Sequence, residues 1–106
     1  MFKAITPTIT MTFPAEMDFD EVAHICFTMK QGSKVVLEKH DSQLTIADNV
    51  VSVWLSQAET LALSPGEATF QLNWTYPPDG NNRVARGCSD VHVIVIKDNL
   101  KNEVIA

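Results

Sequence analysis

No apolar run in the sequence approaches the roughly 20 residues that a membrane-crossing helix requires, so no membrane partner is expected. Clustered Lys or Arg is absent too: Asp and Glu outnumber Lys and Arg by 13 to 8, leaving a net charge of −5. Nucleic acid is therefore not an expected partner, because binding a phosphate backbone rests on grouped cations that displace its counterions. The opening MFKAITPTITMTFP lacks the apolar core and small-residue cleavage site of a secretory signal, which points to synthesis in the cytoplasm. Cysteine is scarce. Cys26 and Cys88 could form one sandwich-type bridge, but without an export signal buried free thiols are the expected state. With 45% hydrophobic and 20% charged residues, the chain has the composition of a globular domain that folds without help from metal or disulfides. A chain of 106 residues suits one core, burying roughly 60–70% of the surface its unfolded form exposes.

Reaction chemistry is equally thin. His24, His40 and His92 lie far apart in sequence with no paired ligand spacing, so neither a metal nor a cofactor is expected. His24 and Cys26 share one strand face and Cys88 lies on the last hairpin, which makes a Cys–His nucleophile pair conceivable. No third group that would orient the histidine can be named, and the expectation is that no residue is catalytic. PPDGNN at 77–82 has glycine but neither a following helix nor a Lys-Ser/Thr pair, so it reads as a hairpin loop and not a phosphate cradle. EMDFDE at 16–21 reads as a solvated turn, and the Asn73-Trp74-Thr75 glycosylation pattern, set mid-strand, as coincidence.

What is present is period-two alternation. Thr8 to Phe13 puts Ile9, Met11 and Phe13 on one face and ends at Pro14, which cannot donate to a ladder, so it reads as an edge strand. From Val22 to Met29, Ala23, Ile25, Phe27 and Met29 share a face, and Gln31-Gly32-Ser33 turns the chain into Lys34 to Glu38. Leu44 to Ala47 and Val50 to Leu55 form a second hairpin about Asp48-Asn49, with Val51, Val53 and Leu55 inward and Trp54 in the opposite phase. Glu67 to Tyr76 alternates most clearly, with Ala68, Phe70, Leu72, Trp74 and Tyr76 on the core face. The closing strand, Val91 to Ile96, follows an interruption placed at Gly87 and is expected to be covered on much of both faces.

One helical phrase, SQAETLAL, interrupts this β pattern. Ser56 is a good N-cap and Glu59 stands three residues on, the spacing of a capping box, while Ser64-Pro65-Gly66 stops the helix. So short a helix is expected to carry the chain from one sheet to the other. The reading is all-β: an immunoglobulin-like two-sheet antiparallel β-sandwich with one short helical corner, a single domain over 1–106 with 97–106 as a C-terminal tail.

The run LSQAETLALSPGEATFQLNWTYPPDGNNRVARGCSDVHVIVIKDNL resembles a stretch of the N-terminal domain of phage baseplate upper proteins from Gram-positive hosts, and of related prophage proteins. The matching positions are Leu55, Ser56, Glu59, Thr60, Pro65, Gly66, Gln71, Leu72, Asp79 and Gly80. The resemblance implies a non-enzymatic, immunoglobulin-like virion module, baseplate- or tail-associated, that works through contacts with other phage structural proteins as a homo-oligomer or docked on a ring. It implies a virion component made in the host cytoplasm. The sequence departs from that pattern by ending at Ala106 with no coiled coil or receptor-binding region, and no binding residue carries over from the family. The contact residues proposed from this chain itself are Trp54, whose phase turns it away from the core although cover by a neighbouring loop or helix is its expected state, and Val104 and Ile105, an apolar tip after a polar run. A carbohydrate-binding module using exposed aromatics is the alternative, with Trp54 as its best candidate.

Overall fold

The computed structural model describes residues 1–17 and 19–101. Among the described residues, eight strands form two antiparallel sheets. Strand β1 (Thr8–Thr12), β4 (Thr45–Ala47) and β5 (Val50–Trp54) form a three-stranded sheet in the order β1-β5-β4. Strands β2 (His24–Gln31), β3 (Lys34–His40), β6 (Gly66–Thr75), β7 (Arg86–Cys88) and β8 (His92–Ile96) form a five-stranded sheet. Its order is β3-β2-β6, with β7 and β8 sharing the far side of β6. An immunoglobulin sandwich places strands B, E and D in one sheet and C′, C, F and G in the other. Here β1, β5 and β4 occupy the first set of places, and β3, β2, β6 and the β7–β8 pair the second.

Local chemistry accounts for the turns. The β2–β3 hairpin closes through Gly32-Ser33, with Gly32 at φ +64 at the first central position, where a side chain would be strained. The β4–β5 hairpin closes through Asp48-Asn49, with Asp48 at φ +54, a left-handed conformation that Asp tolerates. The long β6–β7 connection is gathered by Asp79, whose carboxylate accepts the backbone N–H groups of Asn81 (2.8 Å) and Arg83 (2.9 Å).

Inward residues of both sheets make one core. Ile25, Phe27 and Met29 of β2, Val51 and Val53 of β5 with Leu55 beyond it, and Ala68, Leu72 and Trp74 of β6 are all buried and packed together. Each such aliphatic or Phe side chain contributes about 1.5–3 kcal/mol of transfer free energy. Phe70, expected among them, is half-buried: its ring lies between Phe27 (5.5 Å) and the His92 imidazole (5.2 Å, stacked). The acidic EMDFDE segment does more than turn. Its Phe19 is buried and meets Phe13 and Trp74 edge-on, with ring centroids 5.0 and 5.3 Å away.

The helix α1 (Gln57–Leu61) joins β5 of the smaller sheet to β6 of the larger, as expected of a corner. Glu59 N–H donates to Ser56 Oγ (3.1 Å) and Ser56 N–H to Glu59 Oε1 (2.8 Å), so both halves of the capping box are formed. Thr60, fully buried, donates its hydroxyl to the Ile5 carbonyl (2.7 Å) and accepts the Ile5 N–H (3.0 Å), tying the N-terminal segment to the corner.

The last hairpin departs from expectation. Gly87 lies within β7, and the interruption is a bulge at residues 89–91, where three residues face Gln71 and Leu72 alone. Ser89 fills the gap in the ladder: its N–H reaches the Leu72 carbonyl (2.9 Å) and its Oγ accepts the Leu72 N–H (3.0 Å). The extra residue reverses the phase of everything after it. Ile94 and Ile96 turn inward, whereas Val91, Val93 and Val95 point outward, exposed at 58, 62 and 51% instead of covered. The tail begins tethered: Lys97 N–H bonds the Met1 carbonyl (2.7 Å), and Lys3 N–H bonds the Lys97 carbonyl (2.9 Å).

Candidate functional site

Register pairing assembles a polar group on the outer face of the five-stranded sheet that spacing along the chain conceals. His40 of β3 lies directly across from Cys26 of β2, Cys26 across from Asn73 of β6, and Asn73 across from Cys88 of β7. These four residues form one cross-strand row, with His24, Thr75 and Arg86 in the neighbouring positions toward the sheet's end. The histidines at 24 and 40, which looked unrelated, line the same cleft, of about 330 Å³, together with Cys26, Asp41, Asn73 and Arg86.

Each side chain is placed by a local device. At the end of β3 the chain turns through Asp41 at φ +44, which sends its carboxylate back to β2. Asp41 Oδ1 accepts the Ile25 N–H (3.0 Å), and Oδ2 lies 3.4 Å from His24 Nδ1. The Ile25 N–H and then His24 hold the Asp41 carboxyl below its ordinary value. The His40 backbone N–H is held by Gln43 Oε1 (2.9 Å). Cys26 Sγ lies 3.6 Å from Thr28 Oγ1 and 3.9 Å from His40 Nε2, and the same Nε2 lies 3.9 Å from Glu38 Oε2.

A Cys–His nucleophile relay needs the orienting carboxylate on the imidazole nitrogen opposite the thiol. Here Glu38 and Cys26 approach the same nitrogen of His40. The three groups converge on a point; they do not form a chain along which a proton moves.

Comparison with protein-family models, curated proteins and solved structures gives no match.

Trp54 stands apart from the cleft. It is 55% exposed on the outer face of the smaller sheet, paired across from Thr8, with Thr10, Ser52 and Thr45 completing a hydroxyl-rich row beside it. Its phase is outward as read, but the expected cover by a neighbouring loop or helix is not found: among the described residues none covers most of it. Val104 and Ile105, the other contact candidates, lie outside the described residues. What sequence reasoning missed is the valine row of β8. Along this edge strand, Met1 clips only the end: its ammonium donates to the Val95 carbonyl (2.8 Å) and its carbonyl accepts the Lys97 N–H. The period of two turns the Val93 peptide groups toward the same edge, beyond the reach of that clip.

Proposed function

We propose that this chain is a non-enzymatic structural module of a phage or prophage particle, baseplate- or tail-associated, that works through protein–protein contacts. The observation that carries the contact reading is the edge of the five-stranded sheet at β8. There, beyond the Met1 clip, a strand edge that no other strand pairs among the described residues adjoins three outward valines, where folded domains commonly place charge, proline or a covering loop. Such an edge suits strand addition: backbone hydrogen bonds supply affinity and the alternate side chains specificity. Copies arranged in a ring multiply weak single contacts into avidity. The virion setting rests on the resemblance of the Leu55 to Leu100 stretch to the baseplate upper domain.

Light scattering on the full chain, alone and with the tail or head proteins encoded beside it, tests this reading. The expected result is association that Val93→Lys weakens at least tenfold, since a charge on the edge opposes pairing. A monomer that binds none of those proteins counts against it.

Trp54 supports the second reading, a carbohydrate-binding module. An exposed indole beside a row of hydroxyls can stack on a sugar ring. Glycan binding that is abolished by Trp54→Ala and unaffected by Val93→Lys would select it over the first.

A further inference from the structure

Cys26, Glu38 and His40 offer a thiol, a carboxylate and an imidazole whose ligating atoms all lie within 4.8 Å of one another. We propose that they bind a divalent zinc ion. With Zn–S at about 2.3 Å and Zn–N and Zn–O near 2.0–2.1 Å, a tetrahedral ion sets S···N at about 3.6 Å and N···O at about 3.4 Å. The corresponding distances here are both 3.9 Å. Sulfur and carboxylate lie within 4.8 Å where a tetrahedral ion sets about 3.6 Å, so closing the three gaps takes side-chain movements of about half to one ångström on an exposed sheet face.

The convergence follows from the ladder. Cys26 and His40 are direct register partners, and Glu38 is one same-face step along β3, paired with Thr28. All three backbone positions are thus fixed by the β2–β3 hairpin, and metal binding needs to order only side chains. Thr28 Oγ1, 3.6 Å from the Cys26 sulfur, is placed to donate to it as a thiolate, the supporting hydrogen bond that sulfur ligands commonly receive. The donor set of one soft sulfur, one imidazole and one carboxylate favours zinc over calcium or magnesium, which take oxygen ligands. Asp41 and the net charge of −5 add a field that attracts a cation. Glu38 and His40 are about half exposed, so the fourth coordination position faces solvent. Three protein ligands with one open position is the coordination of an accessible zinc site, in contrast to a closed four-ligand structural one.

Calorimetric titration of the reduced full-length chain with zinc chloride tests the site, with cobalt(II) as a spectroscopic probe. One equivalent should bind, and the cobalt form should show a sulfur-to-metal charge-transfer band. Cys26→Ser, His40→Ala and Glu38→Gln should each weaken binding at least tenfold, and Cys26→Ser should also abolish the band. Cys88→Ser, two strands away in the same row, should change neither. Far-UV circular dichroism confirms that each variant is folded. Absence of saturable binding, or affinity unchanged by any of the three ligand substitutions, or a band lost with Cys88→Ser and not with Cys26→Ser, would overturn the proposal.

Discussion

Gly87 and Trp74 show how much one residue can constrain another in this molecule. They face each other across the β6–β7 ladder, and a Cβ built on Gly87 would overlap the indole ring. The glycine is required for close approach, since its backbone is not in a left-handed conformation. Trp74 in turn is flanked by Phe13 and Phe19, both edge-on, which block its retreat on that side. Gly87→Ala should therefore lower stability by about 1–3 kcal/mol, the usual cost of forcing volume into a packed core. A urea denaturation midpoint equal to that of the parent protein would show that the indole yields more easily than this packing implies. Trp74 also carries a cost: its Nε1 is buried without a hydrogen-bond partner among the described residues.

At the scale of the element, the corner helix is stable because its five residues are fastened at both ends. An isolated turn of helix is unfavourable in water, and here capping and tertiary ties compensate. Ser56→Ala removes the acceptor for the Glu59 N–H and should destabilise the protein by about 0.5–2 kcal/mol, measured by thermal or urea unfolding. Glu59 also grips Lys39 of β3 at 2.8 Å, linking the corner to the edge of the larger sheet. Burial pushes the Glu59 carboxyl up, but the Lys39 ammonium and the Ser56 N–H outweigh it and hold the group below its ordinary value of 4.5. A carboxyl lowered on folding stabilises the protein above its unfolded pKa, and that contribution disappears as pH falls through the folded value. Stability should consequently drop below about pH 4.5, and Glu59→Gln should flatten the drop. Urea midpoints at pH 6 and pH 3 check this; an equal loss in both proteins would assign the acid sensitivity to other carboxylates, such as Asp41 and Asp79, which are lowered in the same direction.

Across the whole molecule, sheet order decides the fate of the two cysteines. Cys26 and Cys88 are both register partners of Asn73, one on each side of β6. Two strand spacings separate their Cα atoms, about 9–10 Å, beyond the roughly 7 Å that a disulfide spans. Both are free. Thiol titration in denaturant should therefore find two thiols per chain, and a reducing agent should leave the melting temperature unchanged. The pairing that looked conceivable from composition fails because β6 lies between the partners. Neither thiol is buried, either: both sit on an outer face, Cys88 exposed and Cys26 partly so.

The alternation of Thr8–Thr12, Ile25–Met29, Val51–Leu55 and Ala68–Trp74, the turns at Gly32 and Asp48, and the Ser56–Glu59 box are all local signals. Each depends only on residues within a few positions, so the sequence by itself determined the strands, the corner and the all-β sandwich. Trp54 was legible only in part: strand phase turns it away from the core, but the expected cover by a neighbouring loop or helix is not there, and the tertiary structure leaves the indole exposed. The tertiary structure decided what depends on register between distant strands. Phe19 became a core residue only because Phe13 and Trp74 close over it. The bulge after Cys88 reversed a phase that periodicity could not anticipate, because an inserted residue is recognised only against its partner strand. Cys26, Glu38 and His40 meet because a hairpin folds β3 back along β2 with a register shift between Met29 and Lys30. Residues twelve and fourteen apart have no spacing motif, and only the hydrogen-bonded ladder places their side chains on one face at one height.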